Sequence, residues 1–250
     1  MSVTFPSVDN VWVVYGGSGT FSGSTGVIRG LATAANYNVR INGSNTVSDQ
    51  LGIRMAGGDL DGDGKKDLVV GANYASNAGG SSGSVYAFFA NGTNFPAGTG
   101  IQRYVTSTAN FNVRFDGPAT NNYLPDAITV ADIDGDGKED LVMGCADAST
   151  QSRSQNGAAY VVMGGPVNFP GGTGLTKPLS NAGSFNLRVD GNVSSANLGQ
   201  SVVVGHFHGG ALPDLVVGSG TVSSGSHSNN GAAWALYAGS PALAALTLTG

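Results

Sequence analysis

The chain has 250 residues, 41 of them glycine, with 11% charged residues and a formal net charge of −5. So much glycine beside abundant Ser, Thr and Asn disfavours helices and suits short strands joined by tight turns. The 40% of hydrophobic residues fall in ordered runs, which excludes a disordered chain, and no basic cluster suggests nucleic-acid binding. A single cysteine excludes an internal disulfide framework, and no apolar run is long enough to span a bilayer.

Taken in order, the chain starts Met-Ser-Val-Thr-Phe-Pro, without the charged and apolar regions of a signal peptide. A first strand is expected at Val11–Tyr15, then a turn at Thr20–Gly26, then a strand at Asn38–Ile41. The run Asp59-Leu-Asp61-Gly-Asp63-Gly-Lys65-Lys-Asp67 follows, and it returns as Asp132-Ile-Asp134-Gly-Asp136-Gly-Lys138-Glu-Asp140. Each places carboxylates at positions 1, 3, 5 and 9 of a nine-residue loop. Four like charges so close together are unfavourable unless a cation neutralises them. Calcium, which takes six to eight oxygen ligands in irregular geometry, is the natural partner, and the carbonyls of Lys65 and Lys138 can add a ligand. Two ions per chain are expected. The competing reading is a solvated acidic turn, which two near-identical copies make poor. The loops are not EF-hands: position 12 falls on Val70 and Met143 instead of Glu, and the flanks are strand-like. These eight aspartates are half of the sixteen acidic residues. The acidity therefore belongs to the loops.

Around the second loop, strands are expected at Ala127–Ala131, Leu141–Cys145, Ala159–Met163 and Phe185–Val189. Cys145 stands at the repeat position of Ala72 and Ser219, which marks it as a small buried filler. The aromatic strand at Val11 recurs at Val85, Ala159 and Ala233. The Asn-x-Arg strand at Asn38 recurs at Asn112 and Asn186, and the turn Asn94–Gly100 recurs at Asn168–Gly174. All share one period of 74 residues, giving units of about 11–84, 85–158 and 159–232 with a terminal strand at 233–250. A period of four antiparallel strands describes a propeller blade. The fold expected is all-β, a β-propeller-like array of about three blades forming a single domain over 1–250. The polar faces Asn38/Arg40/Asn42, Asn112/Arg114/Asp116 and Asn186/Arg188/Asp190 read as a ligand ladder or as the wet face of an outer strand.

In register with the acidic loops lies His206-Phe-His208-Gly-Gly-Ala-Leu-Pro-Asp214, which keeps one carboxylate of the four. No calcium is expected there. A transition-metal site on His206, His208 and Asp214 is a weak alternative to a metal-free turn. Asn42, Asn91 and Asn192 begin N-glycosylation sequons, a pattern that also arises freely in a chain of this composition.

The segments Leu51-Gly52, Asp59–Ala72, Gly83–Tyr86, Ala131–Gly144, Ala158–Tyr160, Leu198-Gly199, Asp214–Gly218 and Gly231–Trp234 together resemble the FG-GAP repeats of integrin α-subunit propellers. The resemblance implies a toroidal propeller, calcium in blade hairpins and an extracellular or cell-surface adhesive role. Two departures stand out: about three blades where the family has seven, and a longer blade through the Asn-Phe-Pro insertion. The function expected is a non-catalytic, calcium-binding extracellular structural or adhesive module. The alternatives are a carbohydrate- or protein-binding propeller and a fragment of a longer integrin-like propeller. An enzyme is not expected, because only three histidines are present and no nucleophile elbow occurs. The partner expected is another copy of the chain, joined head to tail by Asn38–Ile41 into a ring or filament, since the aromatic strand occurs four times and the hairpin only three.

Overall fold

The computed structural model describes residues 9–16, 28, 30–44, 48–223 and 228–237. The opening run Met1–Pro6, the turn marker at Thr20–Gly26, His227 and the terminal run Leu243–Thr249 lie outside them. The described strands are β1 (Asn10–Val13), β2 (Val39–Asn42), β3 (Leu51–Gly58), β4 (Asp67–Ala72), β5 (Ser84–Phe88), β6 (Ile101–Tyr104), β7 (Val113–Asp116) and β8 (Ala127–Ala131). They continue with β9 (Asp140–Cys145), β10 (Ala158–Val162), β11 (Leu175–Pro178), β12 (Leu187–Asp190), β13 (Ser201–Gly205), β14 (Asp214–Ser219) and β15 (Ala232–Leu236). Three single 3-10 turns, at Ala34–Asn36, Thr108–Asn110 and Ala182–Ser184, are the helical elements among the described residues. The chain is all-β, and its sheets are blade-like.

Among the described residues four sheets form, in the orders β1-β2-β6, β11-β7-β5-β4-β3, β12-β10-β9-β8 and β13-β14-β15. Within the second and third, neighbours from the hairpin to the Asn-x-Arg strand pair antiparallel, the four strands read from the sequence. The structure adds a fifth. β6 and β11, both from the insertion, leave their own sheet and pair in parallel with β2 and β7 of the sheet before, Ile101 opposite Val39 and Leu175 opposite Val113. Among the described residues the second sheet therefore holds five strands and the third the expected four. The parallel pairing corrects the expected docking strand: β2 has one edge on β1 and the other on β6, so Asn38–Ile41 has no edge left for a neighbouring copy.

Hydrophobic residues fill the three spaces between successive sheets. Val11, Ile41, Val70, Tyr86 and Phe88 pack between the first and second. Val69, Phe115, Leu141, Met143 and Tyr160 pack between the second and third, and Val142, Val161, Leu215 and Val217 between the third and fourth. Adjacent residues of one strand, such as Val142 and Met143, thus point into different cores. That is why β4 and β9 read as unbroken apolar runs: both faces are covered. Cys145 is fully buried in the middle core, and burial pushes its thiol well up, as a filler position requires.

Glycines of the repeat seat one sheet on the next. Gly157, at φ +75°, makes a parallel bridge to Leu198, and a Cβ there would stand 2.2 Å from the Leu198 backbone N. Gly83 does the same beneath Leu124. Leu51, Leu124 and Leu198 are all buried. The residues that carried the family resemblance therefore build the contacts between blades.

Candidate metal centres

Each acidic loop joins the first two strands of its sheet, β3 to β4 and β8 to β9. Its shape is set by its own carboxylates. Asp59 accepts from the amides of Gly62 (2.9 Å) and Gly64 (2.8 Å), while Asp61 accepts from Asp63 N (3.1 Å). Asp132 likewise accepts from Gly135 N (2.7 Å) and Gly137 N (2.9 Å), and Asp134 from Asp136 N (3.1 Å). Gly62, Gly64, Gly135 and Gly137 all have positive φ, between 79° and 87°, which lets the chain coil around the position-1 carboxylate.

The carboxylates gather as the spacing demands, with one difference between the copies. One oxygen each of Asp59, Asp61 and Asp67 lie within 4.8 Å of one another, and so do those of Asp132, Asp134 and Asp136. Ligand oxygens at about 2.3–2.6 Å from a calcium ion stand at most about 5 Å apart across it. Both sets fit that sphere. Asp63 and Asp140, the remaining expected ligands, are outside these sets. Asp63 pairs with Lys65 Nζ at 2.5 Å, and Asp136 pairs with Lys138 Nζ in the same way. These lysine contacts hold both carboxyls below the usual aspartate range. The position-7 lysines thus bring an ammonium to the loop beside the carbonyl expected from them.

Position 9 has a second role that the spacing did not reveal. Asp67, Asp140 and Asp214 are 2%, 0% and 0% exposed. Asp67 accepts from Leu60 N (3.0 Å) and Ala90 N (2.9 Å), and Asp140 from Ile133 N and Gly164 N, both at 2.7 Å. Each ties the loop to the end of the aromatic strand. Burial raises the carboxyls of Asp67 and Asp140 to about 6 and also raises that of Asp61. The loop spacing does not single out Glu139. Its Oε2 accepts from Asp59 N (2.7 Å) and pairs with Lys66 (2.5 Å), so the second loop braces the first.

The third loop keeps the clamp and loses the cage. Asp214 accepts from Phe207 N (2.9 Å) and His208 N (3.0 Å), and His208 Nδ1 meets it at 2.6 Å. His206 Nδ1 instead faces the carbonyl of Gly210 at 3.2 Å. The two histidines do not join Asp214 in a metal-ligand group among the described residues.

The polar stripe is occupied internally. Arg114 pairs with Asp116 (2.8 Å) and Arg188 with Asp190 (2.7 Å), while Arg40 donates to Gln102 (2.6 Å). Asn42 is 1% exposed and its Nδ2 donates to the Arg103 carbonyl at 2.9 Å. A glycan on that nitrogen is incompatible with this fold, which corrects the first sequon. Asn91 and Asn192 lie in half-exposed turns.

The family model of the FG-GAP repeat matches residues 51–88 and 124–162. The chain carries two FG-GAP repeats. Both matches run from the first strand of a sheet through its acidic loop to the aromatic strand, β3 to β5 and β8 to β10. The chain is also 29% identical over 192 residues to phosphatidylinositol-glycan-specific phospholipase D of Bos taurus, and 28% identical over 191 residues to that of Homo sapiens. Each alignment covers 76% of this chain and 21% of the relative. With the Mus musculus protein of the same name it is 32% identical over 110 residues, 44% of this chain and 12% of the relative. The chain thus spans about a fifth of the length of the first of these relatives. Among the described residues no helix is long and apolar enough to cross a membrane.

Proposed function

We propose that the chain is a non-catalytic, calcium-stabilised propeller segment that works outside the cell or at its surface as a self-associating structural or adhesive module. The observation that carries this is the convergence of three carboxylate oxygens within 4.8 Å in each of two FG-GAP hairpins. Asp59, Asp61 and Asp67 would hold one ion and Asp132, Asp134 and Asp136 the other, with the Lys65 and Lys138 carbonyls as further ligands. The ion would neutralise the loop and bind only the folded form, which adds its binding free energy to stability. Calorimetry should find two calcium ions per chain. Zero or three overturns the reading.

The pH dependence follows from the buried carboxyls. Asp67 and Asp140 rise from an ordinary 3.8 to about 6 in the fold. The folded state then holds more protons than the unfolded state across that window, so their contribution falls as pH climbs from about 4 through about 6. Calcium favours the ionised form and offsets this. The gain in Tm on adding calcium should grow between pH 4.5 and pH 7; a gain flat in pH would count against ligation by Asp67.

Catalysis finds little support in the side chains. Cys145 is sealed in the core, and His206 and His208 face backbone and Asp214 within one turn. The aligned part is also a small share of the phospholipase D relatives. A phospholipase D assay on a phosphatidylinositol-glycan substrate, with and without calcium, should show no turnover, and turnover would refute the non-catalytic reading.

A further inference from the structure

The first acidic loop rests on the second. Half-buried Glu139 grips the backbone of Asp59 from both sides: its own amide donates to Asp59 O (2.9 Å), and its Oε2 accepts from Asp59 N (2.7 Å). Lys66 Nζ meets the same carboxylate oxygen at 2.5 Å. Leu60, next along, is fully buried in the core between the second and third sheets, and its carbonyl accepts from Gly165 N (2.7 Å). The stem of Lys138 lies across Gly62, where a Cβ would stand 3.0 Å from Lys138 Cδ. Asp59 is the residue around which the first loop coils, since its carboxylate accepts from Gly62 N and Gly64 N. The backbone of the first cage is therefore held by positions 7 and 8 of the second loop.

The grip joins the two loops that keep their carboxylates. In the third loop the residue in register with Glu139 is Pro213, which has neither an amide hydrogen nor a carboxylate to offer Asp132. Leu212 stands there in place of Lys138, and a Cβ on Gly135 would lie 2.5 Å from its Cδ2. The second loop thus meets the third through an apolar side chain. Glu139 also sits where loading of its own loop would be felt. On one side is Lys138, whose carbonyl is an expected ligand and whose ammonium pairs with Asp136; on the other is the buried clamp Asp140. Lys138 holds Asp136 only while that carboxylate has no other cation. Occupancy of the second loop therefore acts on the residue that lies across Gly62 and adjoins Glu139.

We propose that the two loops form one coupled calcium unit, in which Glu139 is the positioning residue that links the state of the second loop to Asp59 of the first. This rests on the reading of both loops as calcium sites and adds how each regulates the other. Coupling is reciprocal, so each ion raises the affinity of the other loop by the same factor. Calorimetric titration of the full-length chain with calcium tests it. Asp134→Ala leaves the first site alone and Asp61→Ala leaves the second. The product of the two dissociation constants of the unmodified chain should be at least about fivefold smaller than the product of the constants of these two single-site chains. Introduced into all three chains, Glu139→Ala should abolish that excess. So should Glu139→Asp, which keeps the charge and loses the reach to Asp59 N, whereas Glu139→Gln keeps an acceptor there and should retain it. Two ions bound without the excess would overturn the coupling and leave both calcium sites standing. An excess that survives Glu139→Ala and Glu139→Asp would overturn the part given to Glu139. Fewer than two ions on the unmodified chain would overturn the calcium reading and the coupling with it.

Discussion

Asp140→Ala should lower Tm by about 8–12 °C, and it should do so even in chelator. The carboxylate is fully buried and accepts from Ile133 N and Gly164 N, so its removal strands one buried and one half-buried donor. Each orphaned donor costs about 1–3 kcal/mol, and about 3–4 kcal/mol together is a fair expectation. A chain of this size shifts by about 2–4 °C per kcal/mol. Asp214→Ala supplies the comparison, since Asp214 accepts from Phe207 N and His208 N in a loop without the other carboxylates. It should cost a similar amount, with no dependence on calcium. Asp134→Ala should behave in the opposite way. Asp134 receives one amide in an exposed loop, so its loss leaves the chelated Tm within about 2 °C and removes most of that site's calcium-dependent gain. If Asp134→Ala unfolds the chelated protein, or Asp140→Ala is harmless there, the division between clamp and cage is wrong.

Gly144→Ala is expected to be strongly destabilising, at or above about 3 kcal/mol. The glycine lies in β9, and a Cβ there would stand 1.9 Å from the Gly199 carbonyl oxygen and 2.9 Å from its carbon. No rotamer relieves a clash with backbone, so the third and fourth sheets must separate or the strand must shift. Gly71 instead meets a side chain, with a Cβ 2.5 Å from the Pro125 ring. Gly171→Ala is the control: its Cβ meets nothing within 4 Å and its φ is not in the left-handed region. Its Tm should hold or rise slightly, because alanine narrows the unfolded ensemble. Equal losses from both variants, read by thermal denaturation in the same buffer, would mean that the sheet contact is not what Gly144 protects.

The sequence by itself determined the period, the strand class and the place of both acidic loops. These are local quantities: carboxylates at alternate positions, glycines between them, and apolar runs such as Asp140–Cys145 that suit a strand covered on both faces. The FG-GAP repeats lie where those signals lie. Tertiary structure alone decided where the insertion goes. Ile101–Tyr104 and Leu175–Pro178 read as polar turn sequence with little alternation, and parallel pairing with a strand 62 positions earlier leaves no periodic trace in the chain. It also decided what the last aspartate of each loop does. In sequence Asp67, Asp140 and Asp214 are carboxylates in one register; only folding buries them beneath two backbone amides, where a lone position-9 aspartate keeps its purpose after the cage around it is gone.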